Sequence, residues 1–135
     1  MTSGKPYNAS GGEIMMKLFF TVMIVLGFAI PAYSADRAIT HVVIVWVNED
    51  VSEDQISEVI DKTNVLSTID VVQALKIGRP VMSERKIVDD SFSFAISVEF
   101  KNKADMQRYI EDETHREYVQ TVMTPVVKKF VVYDF

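Results

Sequence analysis

The chain has 135 residues, which fits one domain or at most two. Its composition, 48% hydrophobic and 24% charged, is that of a folded protein and excludes a disordered one. The formal net charge of −5 argues against nucleic acid or an anionic membrane surface as a partner, because both favour clustered Lys and Arg. The absence of cysteine excludes disulfides, thiolate nucleophiles and zinc–thiolate sites.

Residues 16–34 have the pattern of a secretory signal peptide. Lys17 is followed by an apolar run of about a dozen residues, and the small residues Ala32 and Ser34 precede the expected cleavage point. A helix that spans a bilayer needs about 20 apolar residues, so an uncleaved anchor is the less favoured alternative. We therefore predict a periplasmic or secreted protein, and we expect no stable membrane association after cleavage.

Residues 1–15 do not fit a signal peptide, because they form a polar stretch rich in Gly, Ser and Asn. We expect translation to begin at Met15 or Met16, so that residues 1–15 are an extension that the native protein lacks. The folded domain is then predicted to comprise residues 35–135.

The first half of this domain predicts a strand, a helix and a second strand. Residues 40–47 are β-branched and apolar almost throughout, which predicts a strand buried on both faces. Ser52 and Gln55 have the spacing of a capping box, and apolar residues at helical spacing follow them. Residues 71–77 predict a second strand, which ends at Gly78.

The second half predicts the same pattern of a strand, a helix and a last strand. Residues 92–100 alternate bulky apolar side chains with small or polar ones, which predicts a third strand. Asn102 can cap a helix, and Thr114 with Glu117 has the spacing of a second capping box that restarts it. A last strand is predicted within residues 126–135.

The predicted order, β-α-β-β-α-β, is that of the ferredoxin-like arrangement. It gives an α+β fold with an antiparallel sheet and helices on one face. Because the first strand is apolar on both faces, the sheet face without helices should also be covered. A second copy of the chain would cover it, so we predict a homodimer in which two sheets close into a dimeric α/β barrel.

Four stretches of the chain resemble the stress-responsive α/β-barrel (Dabb) family: residues 39–43, 92–100, 109–115 and 132–135. The resemblance extends over residues 39–135 and implies a homodimeric barrel. The family includes a plant polyketide cyclase. Similarity to it implies that Tyr109 and His115 are a catalytic tyrosine and histidine, and that His41 lies in the pocket.

The sequence departs from the family's usual residues in two places. Asp112-Glu113-Thr114-His115 stands where relatives often have His-Pro-Ala-His, so one histidine of the two remains. Phe92-Ser93-Phe94 stands where they often have Tyr-Thr-His, which makes a polar wall of the pocket apolar.

The candidate catalytic residues are His115 as general base and Tyr109 as general acid. His115 is expected in the first turn of a helix, where the helix dipole lowers the imidazole pKa and favours the neutral form that a base requires. Tyr109 can donate to a developing oxyanion. The candidate ligand-binding residues are His41, Phe92, Phe94 and Tyr118.

Three functions stay open: a homodimer that binds a small apolar ligand between sheet and helices, a polyketide-cyclase-like or lyase-like enzyme, and a dimeric adaptor without chemistry. Each histidine also has a structural interpretation, with His115 bonded to solvent or backbone and His41 bonded across the sheet or at the dimer seam. We expect no cofactor and no metal. The acidic residues 111–113 fit a solvated helix end, and haem ligation by either histidine is the less favoured alternative.

Overall fold

The computed structural model describes residues 37–135, and the expectations for residues 1–34 lie outside this part of the chain. The elements follow the predicted order. They are β1 (Ile39–Val47), α1 (Glu53–Thr63), a 3-10 turn (Asn64–Thr68), β2 (Ala74–Gly78), β3 (Phe94–Phe100), α2 (Lys103–Glu111), α3 (Glu113–Tyr118), a π-helical turn (Val119–Met123) and β4 (Val127–Asp134). Within residues 37–135, no helix has the length and apolar character needed to cross a bilayer.

The four strands form one antiparallel sheet in the order β2-β3-β1-β4. β1 is central and has a hydrogen-bonded neighbour along each edge, while the helices cover only one of its two faces. His41 of β1 pairs with Val98 of β3 and with Asp134 of β4, so these three side chains share one face of the sheet. This arrangement confirms the predicted ferredoxin-like α+β fold.

The core lies between one face of the sheet and the helices. Val45, Phe94 and Phe100 project from the sheet and are 0–1% exposed, and Leu66 meets them from the 3-10 turn at 1% exposure. Ile56 and Val59 of α1 add the apolar stripe that follows the Ser52 capping box. Both hydrogen bonds of that box are present, which confirms the predicted helix start.

Two strands begin later than their sequence predicts. β2 begins at Ala74 instead of residue 71, because the Val72 amide donates to the Ile69 carbonyl and closes a turn there. Val71 is still 5% exposed, so its apolar side chain reflects burial in the core and not a strand. β3 begins at Phe94, two residues after the predicted start.

The prediction that Thr114 caps the restarted helix is wrong, because Asp112 is the cap. α3 begins at Glu113, and the side chain of Asp112 accepts a hydrogen bond from the Thr114 amide at 2.8 Å. Asp112 also ends α2, since its own amide donates to the Tyr109 carbonyl. An ionised carboxylate two residues ahead of Thr114 therefore takes the capping position, and His115 remains in the first turn of α3.

Candidate functional site

A cavity of about 700 Å³ opens between β1 and β4 on one side and α2, α3 and the π-helical turn on the other. Most of its wall is apolar. The residues that line it are His41, Val43, Leu66, Ile96, Tyr109, Ile110, His115, Tyr118, Val119, Met123, Thr124, Val127, Lys128, Lys129, Phe130 and Val132. The π-helical turn matters for this wall, because it carries both Val119 and Met123. A volume of this size suits a small organic ligand.

Tyr109 occupies the centre of the polar part of the site. Its ring is 2% exposed and lies 5.0 Å from the Phe100 ring, 4.5 Å from the His115 ring and 6.1 Å from the His41 ring, measured between centroids. Burial raises the pKa of the Tyr109 hydroxyl above its ordinary value, and the nearby Tyr118 raises it further. The hydroxyl therefore keeps its proton and can act as a hydrogen-bond donor toward the cavity.

His115 reaches the cavity from the first turn of α3. Its Nδ1 lies 3.2 Å from the Ile110 carbonyl oxygen, and because a carbonyl only accepts, Nδ1 carries the hydrogen. Burial lowers the pKa of His115, and the proximity of His41 lowers it further. The direction agrees with the sequence prediction, but desolvation takes the place of the helix dipole as the main cause. The neutral ring then presents an unprotonated Nε2.

His41 is 8% exposed and is held by a residue that sequence reasoning missed. Its Nδ1 lies 2.6 Å from Oδ1 of Asp134, which is the residue paired with it across the sheet. The carboxylate accepts the Nδ1 hydrogen, and this contact fixes the orientation of the ring. Asp134 is 93 residues away in sequence, and only the register of β4 against β1 identifies it.

Tyr118 also lines the cavity, and Thr63 orients it. The Tyr118 hydroxyl lies 2.7 Å from Oγ1 of Thr63, and both residues are buried. Burial raises the pKa of Tyr118 to about 12, so it too is neutral at ordinary pH. Thr63 is the second polar residue that sequence reasoning missed, since in α1 it appears only as one more residue of the buried stripe.

Phe92 and Phe94, which the sequence analysis suggested as ligand-binding residues, are not among the residues that line this cavity. Phe94 pairs with Val45, and both are fully buried in the core, farther along the sheet from His41. From β3 the cavity is lined by Ile96. Part of the apolar wall comes from side chains that are more than a third exposed: Ile110, Val119, Phe130 and Val132.

The described part of the chain offers no ready metal site. Among residues 37–135, no three His, Asp or Glu side chains come together in a group that could hold a metal ion. The polar groups that do converge, namely His41, Tyr109, His115 and Tyr118, form a set suited to hydrogen bonding and proton transfer with a small molecule.

Solved structures with this fold come from bacteria and plants. A Dabb-family protein from Mesorhizobium loti is 23% identical, with a TM-score of 0.60, and the match covers 73% of this chain and 94% of that one. A hydroxynitrile lyase from Passiflora edulis is 20% identical, with a TM-score of 0.65 and coverage of 74% and 93%. A dimeric protein of unknown function from Bacteroides fragilis is 16% identical, with a TM-score of 0.59 and coverage of 73% and 94%.

These structures share the ferredoxin-like fold with this chain, and at such low identity they do not indicate its activity. No curated protein matches this chain. The model of the stress responsive A/B barrel domain matches residues 39–135, which is the whole sheet with its helices. The chain therefore belongs to the stress responsive A/B barrel domain (Dabb) family.

Proposed function

We propose that the protein is a homodimer that binds a small, largely apolar ligand in the cavity between sheet and helices. One observation carries this proposal: His41, Tyr109 and His115 converge on one mostly apolar cavity of about 700 Å³. Ligand sites in proteins commonly combine apolar walls with a few convergent polar groups in this way. The exposed side chains of Phe130 and Val132 at the opening add apolar surface that a bound ligand would cover.

A thermal-shift screen of small aromatic and polyketide-like compounds tests this proposal. At least one compound should raise the melting temperature of the wild type and raise it less in Tyr109→Phe and His115→Ala. Tyr133→Phe is the matched control, because Tyr133 pairs with Val42 on the opposite face of the sheet and lies outside the cavity lining. Equal shifts in all four proteins for every binding compound would remove the Tyr109–His115 site from consideration.

Acid–base catalysis in the same cavity is the second candidate, favoured by the neutral His115 beside a protonated Tyr109. Nε2 of His115 would take a proton from a ligand carbon next to a carbonyl, and the electron pair would move to the carbonyl oxygen as an enolate. The Tyr109 hydroxyl would donate a hydrogen bond to that oxygen as it gains charge. One protein with this fold is a hydroxynitrile lyase, so the fold is compatible with an enzyme.

Turnover measurements separate the enzyme from the binder and the adaptor. If the cavity is catalytic, His115→Ala should reduce turnover by about 10²–10⁴, the usual contribution of a general acid–base group. If the protein only binds, the same variant should change affinity without any turnover to lose. An adaptor without chemistry would show neither binding nor turnover, and its partner would contact the outside of the domain.

The homodimer follows from the sheet face that carries no helix. Val42, Ile44 and Trp46 of β1 lie on that face, opposite the face of His41 and Val45. A second copy packed there would bury apolar side chains, and a standard interface would cover roughly 1,600 Å² in total. The dimeric Bacteroides fragilis protein supports this assembly.

Export is the remaining part of the proposal, and it rests on the sequence of residues 16–34. A reporter that is active only outside the cytoplasm should work when fused to residues 16–38 and fail without them. Activity of the reporter without this segment would contradict export by this route.

A further inference from the structure

The Thr63 hydroxyl fixes the direction of a buried hydrogen-bond chain. Its Oγ1 lies 2.7 Å from the Val59 carbonyl oxygen and 2.7 Å from the Tyr118 hydroxyl, and Thr63 is 0% exposed. A hydroxyl has one hydrogen, and a carbonyl can only accept. Thr63 therefore donates to Val59, and Tyr118 donates to Thr63.

This direction determines what Tyr118 offers to a ligand. Its hydrogen is committed to Thr63, so any hydrogen bond that its oxygen makes to a ligand in the cavity would be as an acceptor. Without the Thr63 hydroxyl, the same phenol would be free to turn its hydrogen toward the cavity. Thr63, which is absent from the cavity lining, thus decides whether Tyr118 is a donor or an acceptor.

His115 has the same polarity as Tyr118. Its Nδ1 donates to the Ile110 carbonyl, and in the neutral ring the remaining nitrogen, Nε2, is an acceptor. His115 and Tyr118 therefore offer two acceptors beside the cavity, and of the two tyrosines that line it only Tyr109 has a hydroxyl hydrogen to donate.

We propose that Thr63 sets an acceptor-rich polarity in the cavity, which therefore selects neutral ligands with free hydroxyl groups, such as phenols and alcohols, over ethers of the same size. The inference rests on the proposed function, because it concerns the ligand class of the same cavity. Thr63 acts as a positioning residue, since it reaches the ligand only through Tyr118.

Two isomers test the polarity directly. One is 4-propylphenol, which has a hydroxyl hydrogen, and the other is 4-ethylanisole, an ether of the same molecular formula that has no hydroxyl hydrogen. Calorimetry on the full folded domain should show that the wild type binds the phenol about 3- to 10-fold more tightly, as expected for one net hydrogen bond. Thr63→Val keeps the shape of the side chain but not the hydroxyl. In this variant the affinity for the ether should rise, and the ratio of the affinity for the phenol to that for the ether should fall toward one. Tyr118→Phe should lower the affinity for the phenol without improving that for the ether.

Two further variants complete the design. Thr63→Ser keeps the hydroxyl and should keep the preference for the phenol. Thr121→Val is the matched control. The Thr121 hydroxyl also donates to the carbonyl four residues earlier, that of Glu117, but Thr121 is an exposed residue of the π-helical turn. If Thr63→Val fails to fold, the contrast between Tyr118→Phe and Thr63→Ser still decides the question.

The outcomes distinguish the two proposals. Equal binding of both isomers by the wild type, or an unchanged preference in Tyr118→Phe, would overturn the polarity proposal and leave ligand binding intact. A complete lack of binding by both isomers, together with no thermal shift from any compound of the screen, would overturn the proposed function itself.

Discussion

Tyr109→Phe should separate the function of this site from the stability of the fold. The substitution removes one hydroxyl from a ring that is 2% exposed, and it keeps the ring contacts with Phe100 and His115. The hydroxyl makes no hydrogen bond within residues 37–135, so its removal leaves no buried partner unsatisfied. We therefore expect the free energy of unfolding to change by less than about 1 kcal/mol.

The contrast with Tyr109→Ala gives the scale of the structural contribution. Loss of the whole buried ring should lower the free energy of unfolding by about 3–5 kcal/mol, since the ring's transfer free energy is lost and a cavity remains. Ligand binding or turnover, in contrast, should already respond to the loss of the hydroxyl alone. Tyr109→Phe should lower the affinity for a ligand that accepts a hydrogen bond from this hydroxyl by about 2- to 13-fold. If the hydroxyl stabilises an oxyanion, the same variant should reduce turnover by about 10²–10³.

Urea denaturation followed by circular dichroism measures the first quantity, and calorimetric titration with a ligand from the screen measures the second. Tyr133→Phe provides the control for loss of a tyrosine hydroxyl outside the cavity, on the opposite face of the sheet. A loss of stability above about 2 kcal/mol in Tyr109→Phe would refute the reasoning, because it would mean that the hydroxyl has a structural partner. Unchanged stability with unchanged affinity would refute its role in the site.

Three further predictions concern the cap, the histidine and the assembly. Ser52→Ala should lower the free energy of unfolding by about 1 kcal/mol in urea denaturation, because it removes the capping bond to the Gln55 amide; no loss would contradict the cap. Burial lowers the pKa of His115 below 6.5, so the unfolded chain binds more protons at this residue than the folded protein does as the pH falls through 6.5. Stability should fall in that window until the pH passes the folded-state pKa, and His115→Gln should flatten the profile. Light scattering at micromolar concentration should show a dimer for the wild type and for Ile87→Lys in the exposed loop, and a monomer for Ile44→Lys.

Local patterns predicted the elements that depend on neighbouring residues. The Ser52–Gln55 box and the alternation of residues 94–100 each lie within a few residues of the chain, so the sequence contains all of the interaction. The choice of cap before α3 could not be decided in this way. Asp112 and Thr114 are both capable caps two residues apart, and the backbone dihedrals that favour Asp112 arise from the end of α2.

The site was only partly predictable, because its polar contacts join distant parts of the chain. The resemblance to the Dabb family identified His41, Tyr109 and His115 as candidates, and the chain has only two histidines to consider. Asp134 and Thr63 depend on a strand register and on a helix contact over 55 residues, neither of which the sequence specifies. Phe94 presents a related difficulty, since an apolar strand residue has the same sequence pattern in a core and in a pocket wall.

The cavity and the core share side chains, so ligand binding and folding should be coupled. Leu66, Ile96 and Met123 belong to the buried core and also line the cavity. A ligand at 100 times its dissociation constant should add about 2.7 kcal/mol to the stability of the folded state, which is on the order of 10 °C in melting temperature for a domain of this size.

Substitutions in the shared and unshared parts of the core should therefore behave differently. Leu66→Ala should lose about 2–5 kcal/mol of stability and also weaken the ligand, because the same side chain contacts both. Phe94→Ala should lose a comparable amount, about 3–5 kcal/mol, yet keep the ligand's dissociation constant, since Phe94 does not line the cavity. Calorimetric titration well below each variant's melting temperature measures that constant. Equal weakening in both variants would mean that the ligand binds elsewhere or that the core responds as one unit.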